Sequence, residues 1–306
     1  MWIEHDTLNA LAKAAKSYYN LSMINQRIDT RAIGLDVGLK FMSWLTGAEN
    51  LHYGLWTGLE VNAANLGAAQ AAYTDKLFKL LPPAPARILD IGGGAGETAR
   101  KLIDLGYDVD IVVPSEFLAT RCRENAPAAR VHLMKFEDFE TADRFDVCLF
   151  SESFQYIAVD QSLPKANTLL RKGGVIVIAD CFRSENFVRE DLNHKVGGGH
   201  ALQLFQDAVP RHGFFVTSEE DITAAVAPSV DLEQQLFNVI GFATTRIDAE
   251  LQAKKPKTRW FIARAFGLFS SERRRVRLDQ RLNHKTRNAD AFCYNNRYLM
   301  LILERA

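Results

Sequence analysis

Cysteine is scarce in this chain: four in 306 residues, and no two of them form a CxxC pair. The wide spacing of Cys122, Cys148, Cys181 and Cys293 argues against a zinc-ribbon or dithiol motif and favours a reduced, cytosolic setting. Cys148 and Cys181 sit in apolar, strand-like runs, where a thiol is expected to be buried and inert. Net charge is absent too. The 37 Lys and Arg balance the 37 Asp and Glu, so there is no global bias toward nucleic acid or anionic membrane. Long apolar runs are missing, and stretches such as Leu299–Leu303 are far too short to span a bilayer. The N-terminus, Met1-Trp2-Ile3-Glu4-His5-Asp6, has neither a basic n-region nor an apolar h-region, so no signal peptide is expected. There is no internal repeat and no low-complexity tract.

What is present is an ordinary globular composition, 47% apolar and 24% charged, enough for one large α/β domain with additions or for two domains. Residues 1–50 read as helical, with apolar positions at helical spacing around Leu8, Leu11, Ala15 and Tyr18. A break follows at Gly47-Ala48-Glu49-Asn50, and a helix over 61–81 is expected to end at Pro82-Pro83. The pattern then changes to alternating strands and helices. Strands are expected at 87–91, 109–113, 131–134, 145–150 and 174–179, with a helix starting at Ser115 as N-cap. Such alternation predicts an α/β fold with an open, mostly parallel, doubly wound sheet. Candidates for the last two strands are 214–218 and 298–303. About seventy residues separate them, where a connection usually takes two to six. This insertion should be helical and is the obvious place for a substrate cap.

The first strand ends in Asp90 and runs into Ile91-Gly92-Gly93-Gly94-Ala95-Gly96, a turn whose backbone a nucleotide-like ligand can approach closely. A phosphate-binding P-loop would need a Gly-Lys-Ser/Thr ending, which is missing. A dinucleotide fingerprint would need glycine at position 97, where Glu97 stands. A carboxylate at a helix start repels pyrophosphate. S-adenosyl-L-methionine (SAM) carries no phosphate, and its cationic sulfonium and amino groups are compatible with Asp90.

At these residues the chain resembles the class I SAM-dependent methyltransferases. The resemblance runs over residues 50–220, with Ile88–Gly96 as its most specific part. Phe145–Ser153 resembles the family's fourth-strand segment, and Leu169–Ile178 resembles the helix-turn-strand after it. The family implies a Rossmann-like, seven-stranded sheet with an antiparallel final strand. It also implies that Asp90, Gly92, Gly93, Gly94 and Gly96 surround the methionine part of SAM, with Ser151 near the methionine or the reacting face. Phe136 and Glu137 would lie near the adenine. The chain departs from the family at Val113, where a ribose-binding carboxylate usually stands. Ser115 or Glu116 are the candidates to replace that contact.

Tyr18-Tyr19-Asn20 and His52-Tyr53-Gly54-Leu55-Trp56 resemble N-terminal elements of the tocopherol and sterol methyltransferases and the cyclopropane fatty acid synthases. In those enzymes the leading helices fold over the cofactor. The resemblance makes Tyr19 and Tyr53 candidates for the methionine carboxylate and Trp56 a candidate for packing on the cofactor side. The implied organisation is an N-terminal helical lid (1–80), a SAM-binding core (81–222), a helical cap insertion (223–290) and the final strand (291–306).

Methyl transfer is an in-line displacement, and a base is needed only if the acceptor must lose a proton. The candidates are Glu152, His200 and His52. Glu152 is placed best, because open α/β sheets bind ligands at the carboxyl ends of strands. Between Lys254 and Arg287 twelve Lys or Arg face only two acids, Glu272 and Asp279, with Trp260, Phe261, Phe266 and Phe269 interleaved. Such a segment can contact an anionic membrane surface or cover an apolar acceptor, or simply present a solvated basic face. It lacks a nucleic-acid recognition module. The expectation is a methyltransferase for a small, partly apolar metabolite. The alternatives are methylene transfer of the cyclopropane-synthase type and a degenerate fold kept as a partner-binding subunit. The oligomeric state is left open, a homodimer included.

Overall fold

Short apolar runs bounded by glycine or polar turns become the seven strands of one sheet. The computed structural model describes residues 30–188, 196–269, 271–284 and 286–306. The chain divides into two compact units, Met1–Gly38 and Leu39–Ala306, and the sheet belongs to the second. The expected helix around Leu8–Tyr18 lies outside the described residues, as does Tyr19. Helix α1 (Thr30–Thr46) ends in a turn at Gly47 with φ +74°. Helix α2 occupies Leu66–Phe78. It starts later than expected because the Asn62 side chain caps a separate 3-10 turn over Ala63–Asn65.

The strands are β1 (Arg87–Ile91), β2 (Asp108–Val113), β3 (Arg130–Leu133), β4 (Phe145–Ser151), β5 (Leu170–Arg183), β6 (Phe214–Asp221) and β7 (Asn296–Arg305). Their order is β3-β2-β1-β4-β5-β7-β6, with β7 antiparallel to both neighbours and the β1–β5 pairs parallel. This is the Rossmann-like, seven-stranded α/β architecture that the alternating pattern and the family resemblance implied. Helices α3 (Glu97–Asp104), α4 (Glu116–Asn125), α5 (Val159–Leu169) and α6 (Leu202–Arg211) connect the strands.

Side chains alternate across the sheet, as a pleat requires. Leu89, Cys148, Phe150, Ile176 and Ile178 enter one core with α5 and α6. Ile88, Val147, Leu149, Val177 and Tyr298 enter the other with α2, α3 and α4. β4 is buried on both faces over its whole length but for the partly exposed Ser151, the mark of a central parallel strand. β5 runs past its expected end at Ala179, through the buried Asp180, because β7 pairs with it as far as Arg183.

The insertion is helical, as expected: α7 (Thr223–Val226), α8 (Pro228–Lys254), α9 (Pro256–Phe269), α10 (Glu272–Asn283) and α11 (Ala289–Asn295). Its placement follows from topology. β6 is antiparallel to β7, with Asp221 beside Leu299. The insertion therefore leaves the sheet and re-enters it at the edge where β1, β4 and β5 end. Among the described residues no helix is long and apolar enough to cross a membrane.

Candidate active site

The glycine turn leaves β1 at that edge. Its glycines answer to different constraints. A Cβ on Gly92 would stand 2.5 Å from Ser153 Cβ, one on Gly93 2.6 Å from Asp90 Oδ2, and one on Gly96 2.9 Å from Cys122 Cα. These three are excluded by the protein's own packing. Gly94, at φ +54°, has none of the described residues within 4 Å of the place a Cβ would take. At that point the turn is open among the described residues.

Asp90 lies under this turn, 1% exposed, with Oδ2 buried and, among the described residues, without a hydrogen-bond partner. Burial alone pushes its carboxyl up to about 7. An unpartnered buried carboxyl beside an open glycine backbone is what a cationic ligand would satisfy, since an unpaired buried acceptor is costly. Glu97, at the start of α3, is held by Arg100 at 2.7 Å and accepts the Glu49 N–H. Glu49 in turn binds Arg121 and Asn125. This polar cluster fastens Glu49 to α3 and α4.

The second part of the site stands at the end of β4. Glu152 has φ +56°, the one positive φ on a non-glycine residue among those described. The left-handed conformation costs such a residue roughly 1 kcal/mol and persists only where the surroundings impose it. Here the surroundings are explicit. The Glu152 N–H donates to Ala179 O at 2.8 Å, while Glu152 Oε1 accepts the Tyr53 N–H and the Tyr298 hydroxyl, each at 2.8 Å. Tyr298 and Tyr73 share a hydroxyl–hydroxyl bond of 2.8 Å, and Tyr73 lies 3.4 Å from Ser151 Oγ. Burial pushes Glu152 up to about 7, against the opposing pull of those two donors. Asp180, in β5, is likewise raised to about 7 by burial, although it accepts the Cys181 and Gln155 N–H groups. Three protonatable carboxyls thus collect at the ends of β1, β4 and β5.

The segment over this edge is fixed by main-chain bonds and by Trp56. Leu55 N–H donates to Ala69 O and Trp56 N–H to Ala225 O. The Trp56 indole N–H donates to Ser229 Oγ at 2.8 Å, at the start of α8. Trp56 was expected on the cofactor side, and its polar atom ties the 52–56 segment to the insertion. Tyr53 packs edge-on against Phe292 and tilted against Tyr298. Among the described residues its hydroxyl takes no hydrogen bond.

His52 and His200 differ from the expectation of a base. His52 Nδ1 donates to Tyr53 O at 2.8 Å, Nε2 lies 3.4 Å from Thr74 Oγ1, and the ring stacks on Tyr73. Burial lowers it to about 4, so it is neutral and engaged at both nitrogens. His200 Nε2 lies 2.8 Å from Ile157 O and 3.2 Å from Phe154 O. Carbonyls only accept, so this nitrogen carries a proton and pins the loop. Phe136 is 3% exposed and packs edge-on against Phe150, which makes it a core residue rather than an exposed ring for adenine. Glu137 follows it in the 3-10 turn Phe136–Asp138, partly exposed. Ser115 Oγ accepts the Leu118 N–H as the N-cap of α4, Glu116 is exposed, and Val113 is fully buried. β2 thus ends in an apolar residue, and Ser115 and Glu116 stand beyond it at the start of α4. Tyr73, Tyr298 and Asp180 were not singled out from the sequence, because aromatic and acidic residues in apolar runs carry no local signal of a shared network.

Residues 89–178 match the model of a family described as methyltransferase domain. An uncharacterized methyltransferase of Alkaliphilus oremlandii is 29% identical over 138 residues, covering 44% of this chain and 63% of the relative. Residues 89–178 are thus similar to a methyltransferase domain. S-adenosyl-L-methionine is the cofactor of such a domain, and the open turn at Gly94 and the unpartnered Asp90 fit its cationic head. Two solved structures share the fold. The cyclopropane synthase MmaA2 of Mycobacterium tuberculosis superposes with a TM-score of 0.62 at 16% identity, covering 88% of this chain and 95% of that one. The geranyl diphosphate C-methyltransferase of Streptomyces coelicolor superposes with a TM-score of 0.59 at 13% identity, covering 89% and 97%.

Proposed function

We propose that the protein transfers the methyl group of SAM to a small, partly apolar metabolite that gives up a proton in the reaction, and that Glu152 accepts this proton. The supporting observation is Glu152 itself: a strained, buried carboxyl at the end of β4, raised to about 7, where the ionised form is available at neutral pH. SAM supplies an electrophilic methyl group when bound. Gly92–Gly96 and Asp90 would hold its methionine end, Ser151 would line the reacting side, and Tyr53 is a candidate for its carboxylate. Tyr298 positions the Glu152 carboxylate through its hydroxyl and stabilises the charged form. The 52–56 segment and the insertion, joined through Trp56 and Ser229, would cover the site and exclude water. An apolar acceptor is suggested by the aromatic surroundings of the Glu152 carboxyl, where Tyr298 bonds it and Tyr53 packs against Tyr298 and Phe292.

Incubation with labelled SAM and a metabolite extract, followed by product identification, tests the reading. Glu152→Gln is expected to lower kcat/KM by about 10²-fold or more while SAM affinity by calorimetry stays unchanged. Tyr298→Phe removes a donor that lowers the Glu152 pKa, so the acidic limb of the kcat/KM profile, expected near pH 7, should move to higher pH. A Glu152→Gln variant with wild-type turnover and an unshifted profile would end the proposal.

A further inference from the structure

We propose that the α8–α9 end of the insertion is a docking surface for anionic lipid bilayers. Helix α9 places Lys257, Trp260, Phe261 and Arg264 at i, i+3, i+4 and i+7, one face of a helix. Trp260 and Phe261 are 63% and 69% exposed, and the Arg264 guanidinium stands over the Trp260 ring, 5.8 Å from its centroid. Pro256, Lys257, Trp260 and Phe261 line a surface depression of about 560 Å³. The neighbouring helix α8 also carries exposed apolar side chains, at Val239, Phe242 and Ile247. So many large apolar side chains together on one excursion are unusual for a free surface.

The charge of this region identifies the occupant. The acids near it are already used: Asp248 holds Arg259, and Glu250 holds Arg246 and Lys254. The Asp248–Arg259 pair also fixes α9 against α8 through two bonds of 2.8 and 2.9 Å. Among the described residues Lys255, Lys257 and Arg264 form no ion pair. They contribute to the ten-charge positive excess of residues 254–287 in a chain with none overall. A second copy of this chain would bring the same cations against them. Nucleic acid would match the charge and leave Phe261, Ile262 and Phe242 unburied. A bilayer with acidic headgroups meets both requirements: cations reach the headgroups while Trp260 and Phe261 enter the acyl boundary. The surface is independent of turnover, and a metabolite drawn from the same bilayer would share its apolar character.

The test is flotation of the full chain with vesicles of neutral phosphatidylcholine, with or without about 30 mol% phosphatidylglycerol. The wild type is expected to float with anionic vesicles, to fail on neutral ones, and to detach as salt rises. Two surface variants, Lys257→Glu with Arg264→Glu and Trp260→Ser with Phe261→Ser, should each lose about tenfold or more in partitioning. Both should keep the wild-type melting temperature and SAM affinity. Wild-type partitioning in both variants, equal binding to neutral vesicles, or dimerisation or nucleic-acid binding through this face with no flotation would overturn the proposal.

Discussion

Within the glycine turn, Gly92 and Gly94 separate folding from binding. Alanine at 92 meets Ser153 at 2.5 Å at a φ of +76°, so Gly92→Ala should destabilise the protein by roughly 1–3 kcal/mol. Alanine at 94 meets only the cost of its φ, about 1 kcal/mol, but its methyl group occupies the open side of the turn. Gly94→Ala should melt near the wild type and lose SAM affinity; thermal melts and calorimetry on the pair distinguish the two effects. Asp90 makes a separate prediction about pH. Its carboxyl ordinarily ionises near 3.8 and in the folded chain near 7. Across that window the folded form holds the extra proton, so this group's contribution to stability declines as pH rises. Asp90→Asn removes that contribution. Its melting temperature relative to the wild type should therefore climb from about pH 4 to pH 7, while its SAM affinity falls. A pH-independent difference in melting temperature would show that Asp90 is not buried as described. At this scale the sequence reveals residues whose type is unusual for their setting, such as Asp90 before a glycine run and Glu152 after an apolar strand. Tyr73 and Tyr298 look like ordinary core aromatics, and only a contact spanning 225 positions makes them part of the site.

The elements were legible where local pattern and tertiary demand agree. β1 is apolar, short and closed by glycine, and its expected bounds hold. β5 is longer than its apolar run because β7 pairs with it as far as Arg183; the buried Asp180 finds N–H donors from Cys181 and Gln155, and no periodicity announces that compensation. Trp56 lies in an aromatic segment that resembles a cofactor-facing motif, and local pattern gives no sign of its bond to Ser229. Its indole is in fact the fastening between the 52–56 segment and α8. Ser229→Ala leaves the buried indole N–H unpaired, at a cost of about 1–3 kcal/mol. The variant should show faster amide exchange over 52–56 and α7 than in β1 or β4. Uniformly unchanged exchange would mean that the main-chain bonds of Leu55 and Trp56 suffice.

For the molecule as a whole, the alternation of strands and helices was enough to indicate the sheet, whereas the position of the insertion depends on strand direction, which single-residue patterns do not encode. That direction has a further consequence. β6 and β7 are antiparallel neighbours, and a tight hairpin would join them; the chain makes instead an excursion from Ile222 to Asn295. Lengthening a loop is thermodynamically mild, about 0.6 kcal/mol per doubling, and the sheet on either side is paired without it. The outer part of the excursion, beyond the buried Val226, Val230 and Phe292, is in that sense an exchangeable module, able to diverge in length and surface chemistry while the strands that carry Asp90, Glu152 and Tyr298 stay in register.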